Sequence, residues 1–112
     1  MSPRRNEFLP GTLELLILRT LAAAPMHGYG ITQHIQRLSQ DILKVEEGSL
    51  YPALQRLEVK GWIKSAWRQT PTNRRARYYD LTARGRKQSS IELASFDRLL
   101  VGIRRVIKTQ EA

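Results

Sequence analysis

Apolar residues recur at intervals of three and four over four stretches of the chain and alternate over two short ones. Leu13, Leu16, Ile17 and Leu21 form the first stripe, with Thr12 in position to cap it, and Leu15 and Leu18 lie beside the stripe. A surface helix needs one apolar face. This first helix is apolar nearly all round, so the pattern leaves two readings open: a central helix buried within its own chain, or contact with a second subunit. Ala24-Pro25-Met26-His27-Gly28 breaks it, and Ile31, Ile35 and Leu38 then mark a second helix. Gln40 to Val45 reads as a connection with a short β-like piece.

Leu50, Ala53, Leu54 and Leu57, spaced i, i+3, i+4 and i+7, give the third helix one buried face. Ser49 is placed to cap it, and Pro52 three residues later would lose only an N–H that has no partner within the helix. Lys60 and Gly61 mark its end, a cation at the negative pole followed by a residue able to turn left-handed. The remaining face carries Tyr51, Gln55, Arg56 and Val59, which suit base edges, phosphates and thymine methyl groups. Trp62 to Arg68 and Arg77 to Thr82 are strand-like, with Tyr79 and Leu81 on one face. The loop between them has turn chemistry at Pro71 and Asn73 and ends on Arg74 and Arg75, so a hairpin with an arginine-bearing tip is expected. Three helices followed by a hairpin predict a mainly α fold with a small β-hairpin, a winged helix-turn-helix.

Charge sharpens that picture. The chain of 112 residues has a formal net charge of +9, and nine basic residues lie between Lys60 and Lys87 against Asp80 alone. Such a localised field is the footprint of a polyanionic ligand, and a basic patch also suits RNA or anionic lipid. The absence of cysteine excludes disulfides and thiolate metal sites or nucleophiles, and the two histidines, His27 and His34, stand seven residues apart with no acidic residue between them and offer no metal or catalytic cluster. No catalytic residue, metal ligand or cofactor is therefore assigned. His27, at a helix start, reads as a cap or packing group rather than a pH sensor. Gly28 and Gly30 lack the spacing of a phosphate loop and point to close helix packing. No apolar run reaches the roughly 18 residues that span a bilayer, and no signal-type segment opens the chain, so a cytoplasmic protein is expected.

Pro25-Met26-His27-Gly28-Tyr29-Gly30-Ile31, Glu47-Gly48-Ser49-Leu50-Tyr51-Pro52-Ala53-Leu54 and Arg74-Arg75-Ala76-Arg77-Tyr78-Tyr79-Asp80-Leu81-Thr82 occur in that order. Together they resemble the PadR family of bacterial transcriptional regulators, over roughly Leu9 to Gly85. The resemblance implies a dimeric winged-helix regulator of double-stranded DNA, usually a repressor. It implies reading-helix contacts from Ser49, Tyr51, Pro52, Gln55 and Arg56 and wing contacts from Arg74, Arg75 and Arg77.

A last helix is expected from about Thr82 to about Lys108, near 40 Å at 1.5 Å per residue. Leu93, Phe96, Leu100, Ile103 and Ile107 make a heptad seam along it, widened by Leu99 and Val106. A winged domain cannot cover so long a seam, which points to homodimerisation, the alternative being a helix folded back on its own domain. In some relatives an aromatic residue of this helix lines a drug-sized pocket between subunits. Phe96 is the candidate here for a small hydrophobic effector, and it serves equally well as a seam residue. The expected organisation is a basic arm over 1–8, the DNA-binding domain over 9–84 and a C-terminal dimerisation helix over 85–112. A non-specific nucleic-acid-binding module and a protein-interaction winged helix stay open as alternatives.

Overall fold

The computed structural model describes residues 11–111, and the expected basic arm lies outside them. Among the described residues the order is α1 (Thr12–Ala23), β1 (Met26–His27), α2 (Gly28–Leu38), α3 (Glu47–Val59), β2 (Ile63–Gln69), β3 (Arg75–Leu81) and α4 (Ala83–Glu111). Helices α1, α2 and α3 surround a core of Leu13, Ile17, Leu18, Leu21, Ile31, Ile35, Leu50, Ala53, Leu54 and Leu57. The sheet closes it with Ile63, Tyr79 and Leu81. Tyr79 and Leu81 are both buried on one face of β3, as the alternation predicts.

Leu15 and Leu18 are buried, and α1 packs on α2, α3, β3 and α4. Of the two readings of its all-round apolar surface, the central helix buried within its own chain is the observed one. The Arg19 guanidinium donates to Ser89 Oγ at 3.2 Å, tying α1 to a fully buried position of α4.

Several local expectations are corrected. The first helix is capped by Gly11 at φ 84° rather than by Thr12, which is its first helical residue. Helix α3 starts at Glu47, so Ser49 stands inside its first turn and Pro52 inside the helix. The Ser49 and Leu50 amides both donate to the Glu46 carbonyl, which launches the helix early, and an acidic residue in the first turn, Glu47, favours its positive pole. Pro52 therefore has no N–H to return to Gly48.

The connection after α2 contains no strand. Gln40 and Asp41 both turn left-handed, the Gln36 amide group bonds Asp41, and Ser39 Oγ accepts the Leu43 amide. This side-chain bonding replaces a ladder. Conversely, the break before α2 contains a strand: Met26 pairs with Tyr79 and His27 with Tyr78, giving sheet order β1-β3-β2. Two residues are too few to show alternation in a sequence.

Gly61, at φ 78°, ends α3 as expected. Thr82 then fastens α4 to the same corner. Its amide donates to the Trp62 carbonyl, its hydroxyl donates to the Gly61 carbonyl at 2.7 Å, and its Oγ1 accepts the Gly85 amide at 3.0 Å. At 29 residues, α4 is about 43 Å long. Its first turns pack on the domain, and from Val101 to Lys108 every side chain is exposed.

Candidate nucleic-acid interface

Helix α3 turns Leu50, Ala53, Leu54 and Leu57 inward, which leaves Tyr51, Pro52, Gln55, Arg56 and Val59 exposed on its other side. Val59, 81% exposed, is a large apolar side chain held in water at the end of that face. Ser49 is exposed in the first turn. Tyr51 leans back on α2: a Cβ at Gly28 would lie 2.5 Å from its hydroxyl oxygen. Gly28 is small because Tyr51 needs the space, which is the close packing expected there, the partner being α3. His27 is a cap, as expected, its Nδ1 accepting the Gly30 amide at 2.9 Å.

The hairpin registers Ile63 with Leu81, Ser65 with Tyr79, Trp67 with Arg77 and Gln69 with Arg75. Alternation puts all eight on one face. Near the base that face closes the core. Farther out it carries Arg77, Trp67 and Arg75. The Arg75 guanidinium lies over the Trp67 ring at 5.4 Å, while Arg68 covers Tyr78 on the opposite face at 5.5 Å. The tip is held by the Arg74 amide on Thr70 Oγ1, the Thr70 amide on the Arg74 carbonyl and a left-handed Asn73. Arg74 and Arg75 are exposed there.

Arg77 sits nearer the base. It donates to Ser65 Oγ at 2.8 Å and lies 3.4 Å from Glu58, whose carboxylate also accepts Ser65 Oγ at 2.6 Å. The hairpin and α3 are thereby joined. Between them Tyr51, Gln55, Glu58, Val59, Arg77 and Tyr79 line a cleft of about 460 Å³. Burial pushes the Tyr79 phenol up; Arg77 opposes that shift and Glu58 adds to it.

Arg56 is engaged as well. Its Nε donates to Glu14 of α1 at 2.8 Å, and Lys60, one turn on, reaches the same carboxylate at 3.3 Å. Burial raises the Glu14 pKa, but the Arg56 hydrogen bond and the Lys60 charge outweigh it, and the group ends below its usual range. Neither Glu14 nor Glu58 stands out in the sequence, since their partners lie 42 and 19 residues away. Trp67, which stacks with Arg75, is visible there only as a strand residue.

The seam residues Leu93, Phe96 and Leu100 are half-buried, whereas Ile103 and Ile107 are exposed together with Leu99 and Val106. The described residues contain no metal-binding cluster and no helix long and apolar enough to cross a membrane.

A sequence profile of the transcriptional regulator PadR-like family matches residues 17–90. The chain belongs to this family. A transcriptional regulator from Clostridium thermocellum is 28% identical, with a TM-score of 0.77 over 85% of this chain and 89% of its own. A PadR family transcription regulator from Clostridium difficile R20291 is 27% identical, with a TM-score of 0.75 over 87% and 99%. Protein X of Lysinibacillus sphaericus is 29% identical over 73% of this chain and 75% of its own. The protein is thus a PadR-family, DNA-binding transcriptional regulator with the winged-helix fold and long C-terminal helix of its relatives.

Proposed function

We propose that this PadR-family protein is a homodimeric repressor that binds a near-palindromic operator. The observation that carries the reading is the α3 face with the wing beside it: Tyr51 and Gln55 exposed on one helix, Arg74 and Arg75 at the hairpin tip. In this arrangement α3 enters the major groove, where Tyr51 and Gln55 meet base edges and Ser49, Pro52 and Arg56 the flanking backbone. Arg74 and Arg75 reach phosphates or a narrow minor groove, and Arg77 braces the wing against α3. Exposed apolar residues along α4 support pairing of two copies through Leu93, Phe96, Leu100, Ile103 and Ile107. A dimer over a promoter excludes polymerase by occupancy alone, which makes repression the simplest output.

Footprinting on the DNA upstream of the protein's own coding sequence tests the proposal. A protected site with inverted symmetry, its half-site centres about 10 bp apart or a multiple of that, is expected. Addition of the protein is expected to lower transcription from that template in vitro. Protection without inverted symmetry overturns the dimeric reading, and raised transcription overturns repression.

A further inference from the structure

The reading helix and its C-cap carry two cations one turn apart, Arg56 and Lys60, and both are held by one carboxylate on another helix. Glu14 lies in the first turn of α1, its side chain only 18% exposed, while Arg56 and Lys60 stay about half exposed. Its two oxygens are divided between the two cations, Oε2 to Arg56 and Oε1 to Lys60. A carboxylate so engaged does to these side chains what a DNA phosphate would do, at a fixed distance and with no diffusional cost. Lys60 is held a second way, its ammonium 4.8 Å from the Trp62 ring.

We infer that Glu14 restrains DNA binding: it competes with phosphate for Arg56 and Lys60, and each cation has to leave it before it can neutralise a duplex. The inference rests on the DNA-binding reading above and deepens it. Non-specific affinity comes almost wholly from cations that displace counterions, so each cation neutralised within the protein lowers it. A correct operator fixes the position of α3 through base contacts and can hold a phosphate or a guanine edge where Arg56 reaches it. Random DNA gives no such fixed position, and Glu14 keeps the guanidinium. The carboxylate therefore lowers affinity for both: on random DNA the cations stay unused, and on the operator the Glu14 bond is given up in exchange for the phosphate.

The test is a salt series with Glu14→Gln on operator and random duplexes, with Glu14→Asp as the variant that keeps the charge. Glu14→Gln is expected to bind random DNA roughly tenfold more tightly near 0.1 M salt and to steepen its salt slope by about one to two per subunit. Operator affinity is expected to rise at least as much, because there Arg56 no longer has a carboxylate to leave. Adding Arg56→Gln and Lys60→Gln to Glu14→Gln is expected to reverse the gain. Should Glu14→Gln fail to fold, Lys60→Gln alone decides the matter. It is expected to leave the random-DNA slope at the wild-type value, because Glu14 and the Trp62 ring already hold that ammonium away from phosphate. A slope unchanged by Glu14→Gln, a loss of affinity on both duplexes, or a drop of about one with Lys60→Gln overturns the inference. Wild-type protein that binds neither duplex overturns the DNA-binding reading instead.

Discussion

At the scale of single residues, the side chains of the proposed interface divide by what they are able to recognise. Tyr51 and Gln55 project from a helix, where the backbone fixes their spacing, and carry groups that discriminate base edges. Replacing either with Ala is expected to cost about 1–3 kcal/mol on the operator and much less on random DNA. Arg74 and Arg75 project from a turn and carry charge, which every sequence attracts. Changing both to Ala is expected to weaken operator and random DNA together and to flatten the salt slope by up to about two per subunit. Gel shifts across a salt series separate the two outcomes, and equal losses from both pairs on every duplex would count against a reading helix. Gly28 extends the argument to a residue outside the proposed interface. A methyl group there meets the Tyr51 hydroxyl, so Gly28→Ala is expected to displace Tyr51 and reproduce the specificity loss of Tyr51→Ala. Thermal unfolding monitored alongside shows whether the fold is retained, and unchanged selectivity in a folded Gly28→Ala would sink the idea.

At the scale of elements, the helices were legible because burial imposes a period that the sequence has to display. Leu50, Ala53, Leu54 and Leu57 are all buried, and Tyr79 with Leu81 turned inward as alternation requires. What escaped was structure that carries no period. Strand β1 is two residues long, and the turn after α2 rests on side-chain bonds from Ser39 and Asp41. The start of α3 was displaced because a backbone carbonyl, that of Glu46, launches the helix where Ser49 looked like the cap. The Glu14 and Glu58 ion pairs were invisible for a related reason: they join elements far apart in the chain, and charge alone does not say which partner is near. Gly85 shows the opposite case, a small residue whose reason is plain only in three dimensions. A side chain there would run into the Trp62 carbonyl at the corner where Thr82 fastens α4 to the end of α3. Backbone cannot yield as a flexible side chain does, so Gly85→Ala is expected to destabilise the domain by roughly 1–3 kcal/mol in denaturant titration. A loss within about 0.5 kcal/mol would mean that the corner opens easily.

At the scale of the whole molecule, the proposed dimer makes α4 the element that decides how many reading helices meet the DNA at once. The part of it that packs on α1 is held by Arg19 and Ser89, whereas Leu99, Ile103, Val106 and Ile107 lie beyond and stay exposed. In the proposed dimer these residues and Leu100 are covered by the second copy. Thr82 and Gly85 then transmit the orientation of α4 to the end of α3, so pairing also sets the distance between the two reading helices. Glu at both Leu100 and Ile103 puts like charges into that seam while leaving the winged domain untouched. The double variant is expected to run as a monomer in light scattering at micromolar concentration, with the far-ultraviolet signature of a folded chain. Its affinity for one half-site is expected to stay near that of the wild-type domain. Affinity for the full operator is expected to fall by about 10² or more, because the second half-site is no longer bound as an intramolecular event. The salt slope on the full operator is expected to fall to about half, as one subunit rather than two displaces counterions. A wild-type chain that is monomeric at micromolar concentration, or a double variant that remains dimeric, would remove α4 from the assembly and leave the symmetry of the operator without its cause.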